Sequence, residues 1–111
     1  MGKKLVKSEK DIREHMTLPR GNDVLGIVTR ILGQRRVRVI CQDGNKRLCR
    51  IRGKMRRRHW VRKGDAVLVS PWGFNSDQKG DILFRYTRNQ AHWLRNRGML
   101  TVEDLGMNMK R

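Results

Sequence analysis

Cysteine, acidic residues and long apolar runs are all scarce in this chain, and each scarcity closes off a class of protein. Cys41 and Cys49 are the only cysteines, too few and too far from any Cys-x-x-Cys or histidine spacing to frame a zinc site. Nothing points to secretion, where a disulfide would be expected, so both thiols are read as buried core residues. The longest apolar run, Ala66 to Val69, is strand-sized, and no apolar or amphipathic helix of the kind that spans or lies on a bilayer is visible. No apolar stretch follows Met1 to Lys4, and position 6 is Val6 rather than Ser or Thr, so the secretory and myristoylation patterns both fail. The expected location is cytoplasmic, with no membrane partner.

Catalytic chemistry is just as thinly supplied. His15, His59 and His92 are scattered, Asp and Glu total only 10, and no histidine pair or Glu-x-x-His arrangement suggests acid-base or metal chemistry. No glycine loop is present to cradle a nucleotide phosphate. We therefore expect no catalytic residue, no metal and no cofactor; a ribonuclease built on His59 is the weakest of the readings.

What the chain has in excess is positive charge. Lys and Arg number 27, the formal net charge is +17, and the pI is near 11.5. A chain of this kind repels itself when compact unless it meets a polyanion, and with membrane set aside the polyanion is nucleic acid. At 111 residues with 37% hydrophobic, it can build one modest core.

Residues 1–22 mix charge with isolated apolar residues and end in Pro19-Arg20-Gly21-Asn22, which reads as a basic flexible N-terminal tail. From Asp23 the composition changes. Val24, Leu25, Ile27, Val28 and Ile31, broken by Gly26, predict a long first strand. Gly33-Gln34 turns the chain into a second strand, Arg36 to Cys41, whose alternation puts Val37, Val39 and Cys41 on one face and Arg36 and Arg38 on the other. Asp43-Gly44 predicts a hairpin. The third strand, Lys46 to Arg52, alternates likewise, except that Leu48 shares the face of Arg50 and Arg52. Lys54 to Trp60 lacks a period of two and reads as a short helix or loop. A fourth strand, Ala66 to Ser70, ends at Pro71, and a fifth spans Asp81 to Tyr86. Thr87 and Gln90 form a capping-box pattern and Gly98 a C-terminal cap for a helix from about Arg88 to Arg97.

This order predicts an all-β fold, a five-stranded OB-fold barrel with a short helix or loop between strands 3 and 4 and a C-terminal α-helix. The divisions are the tail 1–22, an RNA-binding barrel 23–87, and a C-terminal helix and tail 88–111.

The charge is uneven. Residues 35–63 hold 13 Lys or Arg and a single acid, Asp43. If strands 2 and 3 pair through the hairpin, Arg36, Arg38, Arg50 and Arg52 crowd one outer face, with Lys46 opening the return strand. Like charges so close are destabilising unless an anion lies between them, and that face is the usual oligonucleotide surface of an OB-fold. Trp60, after Arg56-Arg57-Arg58-His59, would either stack on an extruded base or cap the barrel. Trp72 and Phe74 are open to the same two readings, and Trp93 is expected to pack the helix on the barrel.

The run Lys46-Arg-Leu-Cys-Arg-Ile-Arg-Gly-Lys-Met-Arg-Arg-Arg-His-Trp60, with Cys41-Gln-Asp-Gly44 before it and Gly64-Asp65 and Val67-Leu-Val69 after it, resembles the translation initiation factor 1A family in its archaeal form. The resemblance runs from roughly Asp23 to Arg97. It implies an S1-like barrel that binds the small ribosomal subunit near the aminoacyl site, stabilises initiator methionyl-tRNA there, and promotes dissociation of ribosomes into subunits. Its partners would be small-subunit ribosomal RNA, initiator tRNA and other initiation factors on the subunit, and the protein itself a monomer. The family's RNA-binding positions match at Arg36, Arg52, Lys54, Arg57, Arg58 and Trp60; the predicted face and loop add Arg38, Lys46, Arg50 and Arg56. Eukaryotic members end in a long acidic tail that meets a GTPase partner, whereas residues 109–111 here are Met-Lys-Arg. The chief alternative is a general single-stranded RNA chaperone of cold-shock type, whose nucleic-acid face carries clustered aromatics rather than arginines.

Overall fold

The computed structural model describes residues 16–52 and 61–101. Among these residues five strands, β1 (Val24–Leu32), β2 (Arg36–Cys41), β3 (Lys46–Ile51), β4 (Ala66–Pro71) and β5 (Lys79–Arg85), precede one helix, α1 (Arg88–Asn96). They close into a barrel in the order β1-β2-β3-β5-β4. Neighbours are antiparallel except β3 and β5, which run parallel with Leu48 opposite Lys79 and Ile51 opposite Ile82. This is the expected OB-fold. The connection from Gly53 to Trp60, predicted as a short helix or loop, lies outside the described residues.

β1 serves two partners, pairing with β4 over Val24 to Ile27 and with β2 from Gly26 to Leu32. Gly26 belongs to both ladders. A β-carbon there would lie 2.5 Å from Val39 Cγ1 and 2.8 Å from the Ile40 carbonyl oxygen. The glycine that interrupts the apolar pattern is therefore what lets three strands meet. Gly80 has the same role in β5, where a β-carbon would lie 2.7 Å from Val69 Cγ1, and β5 accordingly begins at Lys79, earlier than the Asp81 that side-chain pattern suggests.

Two apolar clusters share the strands. Val28, Val37, Val39, Cys41, Cys49, Val61, Val67, Val69 and Ile82 fill the barrel. Leu25, Ile27, Ala66, Leu68, Tyr86, Leu94 and Leu100 form a second cluster between the barrel wall and α1. β4 feeds Val67 and Val69 to one and Ala66 and Leu68 to the other, which explains its unbroken apolar run: both of its faces are covered. Both cysteines are buried and free, as their composition suggests.

The helix is fixed at each end. Thr87 Oγ1 accepts from the Gln90 amide at 3.2 Å while Gln90 Oε1 accepts from the Thr87 amide at 2.8 Å, the capping box read from the sequence. At the other end Gly98 takes a φ of +75°, and its amide donates to Arg95 O as that of Met99 donates to Leu94 O. That is a Schellman closure. Trp93 packs against the second cluster, and Gln42 ties the segment after the helix to the β2–β3 hairpin through Met99 O and the Thr101 amide. Met16 and Leu18 also pack against this cluster, and the Tyr86 hydroxyl donates to Thr17 O, so contacts with the barrel begin before Asp23. Residues 1–15 and 102–111 lie outside the described residues.

Candidate nucleic-acid interface

The register of β2 and β3 decides which side chains meet. Arg36 stands opposite Arg50, Arg38 opposite Leu48 and Ile40 opposite Lys46, while Val37 faces Cys49 and Val39 faces Arg47. Arg36, Arg38, Lys46 and Arg50 are exposed on one outer face, the arrangement expected from alternation. Arg52 is exposed just beyond the end of β3. Lys54, Arg56, Arg57, Arg58 and Trp60 lie outside the described residues; Val61, which follows them, is buried in the barrel.

The third strand of this face is β5. Asp81, opposite Arg50, is the acid that reaches into the basic surface: its Oδ1 lies 3.3 Å from Arg50 Nε and accepts from Trp72 Nε1 at 3.1 Å. Arg50 is thereby held in place while its side chain stays 60% exposed. Its guanidinium also lies 5.8 Å from the centroid of the Trp72 ring, as does Lys79 Nζ. Lys79 is a member of this surface that strand patterning passed over, because its proximity to β3 depends on a parallel pairing of distant segments.

Arg47 is the basic residue that does not join the face. Its side chain is only 4% exposed and points inward, where both terminal nitrogens donate to Asp43, at 3.0 and 2.9 Å, and Nε donates to Ser76 O. Those hydrogen bonds hold the Asp43 carboxyl below the usual carboxylate range, and they raise Arg47 further. The pair removes one charge of each sign, so the excess on the outer surface is undiminished. Burial pushes the Cys49 thiol up to about 12 and raises Cys41 as well. Both stay protonated and unreactive near neutrality. Among the described residues no group of three or more His, Cys, Asp or Glu could hold a metal ion, and no helix is long and apolar enough to cross a membrane.

A second basic surface lies between α1, the end of β5 and the turn before β4. Arg62, Lys63, Arg85, Arg88, His92 and Arg95 line a cleft of about 690 Å³ there. Arg85 Nε, at this site, is buried without a hydrogen-bond partner. The cleft takes cations from three separate segments, so no single run in the sequence announces it.

Comparison with known proteins sets this geometry in context. The Translation initiation factor 1A / IF-1 family profile matches residues 13–106. Translation initiation factor 1A of Pyrococcus abyssi is 48% identical over 105 residues, covering 95% of this chain and 93% of that one. Its counterpart from Methanococcus aeolicus is 46% identical over 100 residues, 90% and 95% of the two chains. The solution structure of translation initiation factor IF-1 from the Wolbachia endosymbiont of Brugia malayi is similar at 33% identity over 60% of this chain and 78% of that one, with a TM-score of 0.46.

Proposed function

As the chain belongs to the translation initiation factor 1A / IF-1 family, we propose that it binds the small ribosomal subunit near the aminoacyl site, stabilises initiator methionyl-tRNA there and promotes dissociation of ribosomes into subunits. It works in the cytoplasm as a monomer, by occupancy and electrostatic docking. Its partners are small-subunit ribosomal RNA, the initiator tRNA and the other factors bound to the subunit.

The observation that carries this reading is the placement of Arg36 directly opposite Arg50, both exposed, with Arg38 and Lys46 on the same face. Two like charges in register across a strand pair destabilise the sheet unless an anion comes between them. Among the described residues Asp81 offsets Arg50 only in part, leaving its side chain 60% exposed, and no acid pairs with Arg36 or Arg38, so all three are open to phosphate. Arginine suits that task, because its planar fork meets phosphate oxygens two at a time. The basic cleft beside α1 offers a second surface to the same polyanion, and Lys54, Arg56, Arg57, Arg58 and Trp60, which follow Arg52 in the sequence, are further RNA contacts in this reading. The barrel, residues 23–87, is the RNA-binding unit, with 1–22 and 88–111 as its flanking extensions.

Sedimentation of the pure protein with isolated small subunits, large subunits and whole ribosomes tests the reading. The expected result is co-sedimentation with small subunits that is lost in high salt. Equal affinity for free single-stranded RNA and for both subunits would point instead to a cold-shock-type chaperone, and retention through high salt to a structural ribosomal protein.

A further inference from the structure

An aromatic pair stands at the edge of the arginine face. Phe74 is 71% exposed, and among the described residues only Ile31 is a comparably exposed large hydrophobic side chain. An exposed phenyl ring beside a cluster of cations is not explained by the fold, since neither apolar cluster includes it. Trp72, by contrast, is half-buried and fixed. Its Nε1 donates to Asp81, and Arg50 and Lys79 lie over its ring. The two rings are 5.8 Å apart and inclined at 52°, so Trp72 supports Phe74 from the side and leaves the Phe74 face open.

The sheet register connects this pair to the rest of the surface. Leu48, the apolar residue that interrupts the arginine alternation, stands between Arg38 on β2 and Lys79 on β5. The Trp72 amide donates to Lys79 O. Arg36, Leu48, Arg50, Trp72 and Lys79 surround a small cavity of about 110 Å³. An apolar floor edged by cations, with an open aromatic face beside it, matches one ligand chemistry: a flat uncharged ring carried on a polyanionic backbone.

We propose that Phe74 is a stacking platform for one unpaired nucleobase of the bound RNA, with Trp72 bracing the ring and Arg50 and Lys79 holding the adjoining phosphates. This rests on the RNA-binding reading above and adds to it a preference for an unpaired base at a defined place. Stacking of this kind tolerates any base, because each has a π-face, and discriminates against duplex, where the bases are already stacked on one another.

Fluorescence anisotropy with a labelled single strand of about 12 nucleotides and the matching perfect duplex tests the proposal. Phe74→Ala should weaken single-strand binding about tenfold and lower the single-strand to duplex affinity ratio by a similar factor. Phe74→Trp should keep the wild-type ratio, and Phe74→Leu, apolar but not aromatic, should fall with Phe74→Ala. Because the side chain is exposed, all three variants should melt like the wild type. If Phe74→Leu binds the single strand as well as the wild type does, or if Phe74→Ala leaves the ratio unchanged while binding stays salt-sensitive, the stacking assignment is wrong and the RNA-binding reading stands. A wild-type protein that binds neither RNA would overturn both.

Discussion

Arg47 shows how one buried cation can be part of a basic protein's frame rather than its ligand surface. Its stem passes Gly80, where a β-carbon would come within 3.6 Å of Cδ, and its head joins the β2–β3 hairpin, through Asp43, to the β4–β5 loop, through Ser76. Removing one partner of such a pair leaves the other desolvated and unpaired, whereas replacing both with apolar groups is often close to neutral. Asp43 is one-third exposed, so solvent compensates part of the loss. Asp43→Ala should cost about 2 kcal/mol of unfolding free energy, and adding Arg47→Met should recover at least half of it. The pH dependence has a definite sign. A carboxyl whose folded pKa is depressed contributes stability that is full above its unfolded value of about 4 and is lost as pH falls through the folded value. Urea titrations between pH 2 and 7 should show a steeper acid loss for the wild type than for Asp43→Asn. Equal acid limbs in the two proteins would mean that the pair adds nothing to the fold.

Among the elements, β2 and β3 are the most legible, since alternation places Val37, Val39 and Cys49 inside and Arg36, Arg38 and Arg50 outside, as the ladder and burial confirm. The turn before β2 is less so. Gly33-Gln34 suggests that a glycine carries the left-handed residue, yet positive φ falls on Gln34 and Arg35, at 61° each. Gly33 itself is not among the residues with positive φ, so its freedom goes unused while its neighbours carry the strain, and the reason lies in the pairing. The Arg35 carbonyl accepts from the Ile51 amide on β3, a long-range bond that holds the turn in this shape whatever residues it contains. Left-handed backbone costs about 1 kcal/mol for a residue with a β-carbon, and more for a β-branched one. Gln34→Gly should therefore raise stability by up to about 1 kcal/mol, less the entropy gained by the unfolded chain, and Gln34→Val should lower it by at least that much. Thermal denaturation resolves both, at about 4 °C or more per kcal/mol for a domain of this size. If Gln34→Gly is no more stable than Gln34→Val, the turn is not strained in the way its φ values indicate.

For the molecule as a whole, the barrel and the charge of +17 were readable from composition, turn residues and strand count, but the extent of the interface was not. The placement of Lys79, Trp72 and Phe74 beside Arg50 depends on β5 docking parallel to β3, a pairing between distant segments that no local pattern encodes. Once that pairing is known, the outer face carries Arg36, Arg38, Lys46, Arg50 and Lys79, with Arg52 just past the end of β3. Six cations of this kind, if each neutralises one phosphate of structured RNA, give a slope of log affinity against log salt near −5. Reversing two of them, Arg36→Glu and Arg38→Glu, should make the slope shallower by about 2 and weaken small-subunit binding at least a hundredfold, since two charge-assisted contacts are replaced by repulsion. Titrations across roughly 50 to 200 mM salt would measure both quantities. A slope steeper than about −8 would require cations beyond the strand face to engage the same RNA, from the cleft lined by Arg62, Arg85, Arg88 and Arg95 or from Lys54, Arg56, Arg57 and Arg58, because the strand face alone lacks the charge for it. A slope shallower than about −2 would remove phosphate contact as the basis of binding, and with it the assignment of this face.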